Sequence, residues 1–494
     1  MKTRRKIEMK RAFIQIGAAF SLLLVPQAAA HAESIDPVKP AAALDAVKQL
    51  TTAEIKQRLH EAADRYGIPG EILKAMAYVE TGMKQFDENR NPIVTNDGGI
   101  GIMQVTLTDE EMRARNINKE KLLYDTAYNI DIGAQILKEK WNWAGTRIPK
   151  INDQNPDIIE NWYFAVMAYN GLSKRNDPNL PHDQKPYQDR VFDVIRDHSL
   201  VDVKRIPRFQ AEYSDENQPD IMYFPVKQYN WPQLDTKTTQ HYHAGDKLYT
   251  WNSQASYSNI RNGVDGTIIL KAPHYTPLEI VGGPYESAAN PANHYVFYRV
   301  KGNGIDGYVA SSNVVKAAVK IFSDLSDREV VSAVTYLYLK NVITGYEDGT
   351  FRPNDRLLRR HAAKMLVNEL GLELPKGYVP KAKDMKPSDP GYKEMVIAEA
   401  YGLMGQDGRL RPNEYLTRAQ MASILVRAYR AYYDAPKTQK TFKDVPLHFW
   451  NYNEINTLAY NGITVVDTFR PNENVTRGQF ALFLKRTLDK KEEQ

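Results

Sequence analysis

Glu80 closes a helix-like run, "AMAYVETG" (75–82), and a polar loop follows before order returns at Gly101-Ile102-Met103-Gln104. It lies one residue past Val79 and on the helical face of Leu73 and Met76, which places its carboxyl at the edge of a core. Desolvation disfavours the charged form and raises a carboxyl pKa, which suits a general acid near neutral pH. An acid that cleaves a sugar bond commonly works with a second carboxylate. Asp87, Glu88 and Asp97 in the following loop are the near candidates, in a stretch of Asn, Asp and Glu that reads as solvated surface.

The elements that must hold Glu80 are helical. Ile55, Leu59 and Ala62/Ala63 mark one apolar face, Ile72, Leu73, Met76 and Val79 a second, and Ile130, Ala134, Leu137 and Trp141 a third. Pro69-Gly70 opens the second of these near its first turn, where proline is tolerated. Gly98, Gly99 and Gly101 permit a tight backbone turn. With no alternating strand pattern in view, 51–200 is predicted to be an all-α domain.

At 494 residues the chain is too long for one core, and about three domains are expected. Residues 1–32 read as a signal peptide, with a basic stretch, the apolar run "AFIQIGAAFSLLLV" and an Ala30-His31-Ala32 cleavage site. That apolar run is shorter than the roughly 20 residues a span needs, so no membrane association is expected after cleavage. Six of the 65 Lys/Arg and one of the 60 Asp/Glu lie in this segment, leaving 59 of each. The basic excess therefore does not indicate nucleic acid. The absence of cysteine rules out disulfides and thiol chemistry.

Residues 33–50 are Ala/Pro/Lys-rich and read as a linker, as does the proline-punctuated stretch 201–240. Over 241–317 the runs "GTIILKA", "PLEIVGG", "HYVFYRV" and "IDGYVASSN" predict a small β-barrel. Beyond it the text repeats. Asp324, Asp384 and Asp444 recur at intervals of 60, and Asn354, Asn413 and Asn472 at intervals of 59, each Asn followed five residues on by Arg359, Arg418 or Arg477. Three packed helix–loop–helix units are predicted, at 320–375, 380–435 and 440–494.

Glu80-Thr81, Gly101-Ile102-Met103-Gln104, "NIDIG" (129–133) and "AYNG" (168–171) occur in order, and together they resemble the soluble-type lytic transglycosylases of the lysozyme-like superfamily. The resemblance covers roughly residues 52–200. It implies a lysozyme-like fold and cleavage of peptidoglycan glycan strands between N-acetylmuramic acid and N-acetylglucosamine, giving 1,6-anhydro products. Glu80 would be the one catalytic residue, first acid and then base, with no cofactor or metal. It further implies that Thr81, which stands where serine is usual, Gly101, Met103, Gln104, Tyr169 and Asn170 bind or position substrate. Tyr169 would hold Glu80 by a hydrogen bond, and Met103 reads as plain core before substrate contact. A hydrolytic muramidase on the same fold, with a loop acid activating water, is the alternative reaction. A non-catalytic S-layer-associated structural protein is the alternative of another class.

"HYVFYRVKGNGIDGYVASSNV" resembles the end of bacterial Src-homology-3-like wall-binding barrels, with Tyr295, Tyr298 and Tyr308 read as core before ligand contacts. His241-Tyr242-His243 has no third metal ligand in view. "GYEDGTFRPN" (345–354) and "DTFRPNENVTRGQFA" (467–481) resemble S-layer homology repeats. That resemblance implies a mainly α-helical three-repeat domain in which Arg359, Arg418 and Arg477 bind an anionic, pyruvylated secondary cell-wall polysaccharide. The first unit reads Leu358-Arg359-Arg360-His361, without the family threonine and glutamate, and Gln420 and Gln479 replace that glutamate in the others. The implied location is the secreted, S-layer-bearing wall of a Gram-positive-type envelope.

Overall fold

The computed structural model describes residues 49–213 and 220–493. The expected signal peptide, and residues 33–48 of the expected first linker, lie outside the described residues. The chain divides into two compact units, one ending at Thr238 and one beginning at Thr239.

Among the described residues the first unit is built on seven α-helices. Helix α1 (Thr52–Tyr66) starts in a capping box, in which Thr51 accepts from the Glu54 N–H and the Glu54 carboxylate accepts in return. Helix α2 (Gly70–Thr81) follows Pro69, and Gly82 ends it in a left-handed conformation. Next come α3 (Asp109–Ala114), α4 (Lys119–Tyr124) and α5 (Thr126–Trp141), then the short strand β1 (Lys150–Ile151), α6 (Tyr163–Asn170) and α7 (Tyr187–Val194). Ile72, Leu73 and Met76 of α2, Ala134 and Leu137 of α5 and Phe164 of α6 are all buried in one core.

Two expectations are corrected here. Strand β1 pairs in parallel with β2 (Gln228–Tyr229), so the unit is not purely helical. Its partner comes from the stretch expected to be a linker. That stretch instead contributes Val201, Val203, Phe209, Met222, Phe224 and Leu234 to the same core. Phe209 and Phe224 pack edge-on against Phe164, with centroids 4.9 and 5.3 Å away. Thr238 closes the segment by donating to the buried carboxylate of Glu71 at 2.7 Å. Prolines break any regular period in this stretch, yet the apolar residues between them still bury.

The second unit begins with seven strands: β3 (Lys247–Thr250), β4 (Tyr257–Arg261), β5 (Ile268–Pro273), β6 (Pro277–Glu286), β7 (Val296–Gly302), β8 (Ile305–Ala310) and β9 (Val314–Lys316). They form one antiparallel sheet in the order β5-β4-β8-β7-β6-β3-β9. The expected closed barrel is thus an open, curled half-barrel with β5 and β9 at its edges. Tyr298 is fully buried, accepting from the Tyr242 N–H and donating to the Thr239 carbonyl. Tyr295 and Tyr308 are half-buried.

The repeats supply α8 (Arg328–Leu339), α9 (Arg359–Leu370), α10 (Tyr392–Ala400), α11 (Arg418–Tyr429), α12 (Tyr452–Tyr460) and α13 (Arg477–Glu492). Long loops between these helices do much of the packing, so "mainly α-helical" overstates the helix. Each period-marking aspartate clamps the loop of its own unit. Asp324 accepts the N–H groups of Phe351 and Arg352, Asp384 those of Leu410 and Arg411, and Asp444 those of Phe469 and Arg470. The arginine in each pair is held left-handed, at φ 58°, 52° and 57°. The clamps offset part of that conformational cost.

The three units close on one another in a ring. Leu357 N–H donates to the Val475 carbonyl, Val475 N–H to Leu416 and Leu416 N–H to Leu357, at 2.8 to 2.9 Å. All three side chains are fully buried. Cyclic closure makes each unit the packing partner of both others, as a linear stack does not.

Candidate active site

Helix α2 delivers Glu80 in its last turn, with the carboxyl half-buried. Burial raises its pKa from the ordinary carboxyl value to about 7; the Tyr187 hydroxyl and the Arg190 charge oppose that rise, Asp97 adds to it and Arg175 opposes it. Tyr187 and Arg190 sit on one side of α7, with the Arg190 guanidinium 5.8 Å from the Tyr187 ring centroid. Tyr187 Oη is buried and faces the Glu80 carboxyl without closing a hydrogen bond of ordinary geometry.

The expected partner of Glu80, Tyr169, is placed differently. Its hydroxyl donates to the Met103 carbonyl at 2.7 Å, so it braces the Gly101–Gln104 turn; burial, and after it the charge of Glu80, hold its own pKa well above the ordinary value. Tyr187 is the tyrosine at the acid, and its surroundings, "PYQDRVF", carry no local signal of that role.

The turn itself is pinned from beneath. Asn129 accepts the Met103 N–H at 3.0 Å and donates to the carbonyls of Ile100 and Leu122. Gln85 accepts the Ile102 N–H and donates to Leu122 and Leu123. Gly101 is required on two counts: its φ is +68°, and a Cβ there would stand 2.4 Å from Asn129 Nδ2 and Gln85 Oε1. A Cβ on Gly133 would lie 2.6 Å from the Met103 Cβ, so α5 touches the turn directly. Met103 is fully buried.

Gln104 is left-handed at φ 47° and donates to the Gly101 carbonyl at 2.8 Å, with its Oε1 2.9 Å from Thr95 Oγ1. Thr81 Oγ1 lies 3.3 Å from the Ile102 carbonyl and accepts the Lys84 N–H, tying the end of α2 to the same turn. Asn170 ends α6, where its carbonyl accepts from Arg175 and its Oδ1 from Asn176.

The three loop acids separate clearly. Asp87 is consumed by its own turn, accepting the N–H groups of Asn89 and Asn91. Glu88 is exposed. Asp97 alone acts on Glu80, and the Thr95 hydroxyl that donates to it holds its own pKa below the ordinary value. Glu80 is thus biased toward its acid form and Asp97 toward its anion.

The arginines of the repeats share one geometry. Nε of Arg359 donates to the Leu410 carbonyl at 2.8 Å, that of Arg418 to Phe469 at 2.6 Å and that of Arg477 to Phe351 at 3.0 Å. Each arginine thereby bridges to the next unit around the ring. All three are buried, and burial lowers their pKa values. Arg477 lies over the rings of Phe351 and Tyr346, and Arg418 over those of Phe469 and Phe483. Among the described residues none of the three forms an ion pair with a carboxylate. A cavity of about 180 Å³ beside Arg477 is lined by Tyr346, His361, Lys364 and Asn368. Of the first repeat's departures, His361, which stands where the family has glutamate, thus lies in the groove of Arg477.

Comparison with known families assigns both regions. Residues 57–187 match the transglycosylase SLT domain, and residues 321–363, 383–422 and 441–481 each match the S-layer homology domain. Among curated proteins the chain is similar to an S-layer protein of Bacillus thuringiensis subsp. finitimus, 32% identical over 180 residues, which are 35% of this chain and 22% of that one. An uncharacterized cell wall amidase of Bacillus anthracis is 34% identical over 182 residues, 35% of this chain and 33% of its own. An endoglucanase of a Bacillus species is 31% identical over 177 residues, 35% of this chain and 18% of its own. The chain thus spans a third or less of the length of these relatives. What they share with it is a segment, while the acid of α2 and the arginine ring fall within the family matches: the chain carries a transglycosylase SLT domain followed by three S-layer homology domains.

Proposed function

We propose that the first unit is a peptidoglycan lytic transglycosylase and that the repeats hold it on the cell wall. The observation that carries the reading is Glu80, a half-buried acid with its pKa raised to about 7 at the end of α2. Near neutral pH such a group exists in both protonation states, as one residue must if it is to give a proton and then take one. Protonated Glu80 donates to the glycosidic oxygen between N-acetylmuramic acid and N-acetylglucosamine. The acetamido oxygen of the muramic residue stabilises C1 as that bond breaks. Carboxylate Glu80 then takes the proton of the C6 hydroxyl as its oxygen closes the 1,6-anhydro ring. No water enters the product.

Gln104 and the 101–104 backbone line the proposed sugar cleft, with Thr81 and Tyr169 bracing them and Asn170 shaping its floor. A Glu80→Gln variant tests the assignment on isolated murein, where solubilisation equal to that of the unaltered chain would sink it. The hydrolytic reading retains one observation in its favour, the split in proton affinity between Glu80 and Asp97. Product mass separates the two, since hydrolysis adds a water.

In the anchor, Arg359, Arg418 and Arg477 are the proposed contacts to an anionic, pyruvylated wall polysaccharide at the cell surface of a Gram-positive-type envelope, after secretion through residues 1–32. A buried guanidinium without a carboxylate partner supports this, because an incoming carboxylate would supply the missing charge. Wall pull-down before and after depyruvylation checks the ligand; unchanged retention would refute it.

A further inference from the structure

Helix α7 presents Tyr187 and Arg190 to Glu80, and its other side faces a cavity of about 360 Å³. That volume falls within the roughly 300–1,000 Å³ of small-ligand sites. Tyr163, Asp189, Phe192 and Asp193 line one wall. The opposite wall is 204–208, in the stretch beyond residue 187, where the transglycosylase match ends.

This wall is fixed. The Lys204 N–H donates to the buried Glu160 carboxylate at 2.7 Å, and Arg196 reaches the Val203 carbonyl. Below it Phe209 is buried, with its carbonyl accepting from Asn179 Nδ2. A preformed wall loses little conformational entropy on binding.

The charges are sorted by depth. Lys185 and Arg196 both pair with Asp193, and Lys204 pairs with Asp202. Arg205 and Arg208 are exposed at the rim with no carboxylate partner among the described residues. Deeper, Asp189 is half-buried and accepts from the Tyr163 hydroxyl at 2.7 Å through Oδ1. Its Oδ2 remains able to accept, and burial raises its pKa, so an N–H donor there would relieve a desolvated carboxyl. Phe192, Ile206 and Pro207 supply apolar surface between the two.

The geometry points to a second binding site, behind α7, for a short peptide with a free C-terminal carboxylate. Its carboxylate meets Arg205 and Arg208, its N–H or ammonium end meets Asp189, and its side chains lie on Phe192 and Ile206. A simple anion satisfies only the rim. An uncharged saccharide leaves both guanidinium groups unanswered. The site stands apart from the glycan reading and does not depend on it.

The test is calorimetric titration of the chain lacking residues 1–32 with tri-L-alanine and with its C-terminal amide. The free acid is expected to bind saturably and the amide at least tenfold more weakly. R205A/R208A is expected to lose at least tenfold in affinity with its Tm unchanged, whereas R113A, an exposed arginine elsewhere, binds as the unaltered chain does. D189N, which keeps an acceptor for Tyr163, is expected to weaken the free-amine peptide more than its N-acetylated form. The proposal is overturned by equal binding of acid and amide, by undiminished binding in R205A/R208A, by an equal loss in R113A, or by no saturable binding. Competition by inorganic phosphate as strong as by the tripeptide would identify a general anion site and equally overturn it.

Discussion

Tyr187 Oη and the Glu80 carboxyl face each other across the α2–α7 contact, and the hydroxyl pulls the pKa of Glu80 down against the burial that raises it to about 7. The acid is tuned from α7, not from α6 where Tyr169 lies. Replacing Tyr187 by Phe removes a lowering influence, so the pKa of Glu80 rises further. The alkaline limb of the pH–activity profile, where Glu80 loses its proton, is expected to move to higher pH. A limb that stays in place or moves down would contradict this assignment.

Asp97 acts in the opposite sense. Its negative charge raises the pKa of Glu80, so Asp97→Asn is expected to move the same limb to lower pH. Turnover at the new optimum should remain within about tenfold, because Asp97 has no chemical step in a one-carboxylate mechanism. A general base contributes roughly 10²–10⁴-fold. A loss of that size in Asp97→Asn would favour the hydrolytic alternative.

A raised pKa also carries a stability cost. Glu80 binds its proton more tightly folded than unfolded, so its stabilising contribution is complete below the unfolded pKa of about 4.5 and is lost as pH rises through about 7. Glu80→Gln removes that loss. It is expected to raise stability by on the order of 1–3 kcal/mol at pH 8 and to change little at pH 4. Denaturant melts at the two pH values provide the check, and equal effects at both would contradict it.

The stretch 201–238 makes a sharper structural prediction. Phe224 is fully buried against Phe164 and Phe209. Phe224→Ala is expected to cost about 3–5 kcal/mol of unfolding free energy in the first unit, the usual price of a large core truncation. A connector residue would cost near zero. Cleavage by protease within 201–213 should be correspondingly slow.

What was legible in the sequence was what is local or periodic. The faces of α1, α2 and α5 follow from spacing alone, and the Asp and Arg periods located the three repeats before their roles were visible. Those roles needed the fold. Asp324 clamps a backbone loop 27 residues away, and Arg477 reaches across 126 residues to the Phe351 carbonyl. Tyr187 escaped for the same reason, since only the packing of α7 on α2 brings it to Glu80. The 201–240 stretch reads as a linker because proline hides periodicity without preventing burial. The barrel was expected from strand composition, which does not determine whether edges such as β5 and β9 pair.

The central claim is that Glu80 alone carries both proton transfers and no water enters the product. Mass analysis of muropeptides released from isolated murein tests it most directly. Products 18 Da lighter than hydrolysis products are expected, by the mass of the one water that does not enter, with no release by Glu80→Gln. Products bearing the added water, formed by the unaltered chain and abolished by Asp97→Asn, would contradict it.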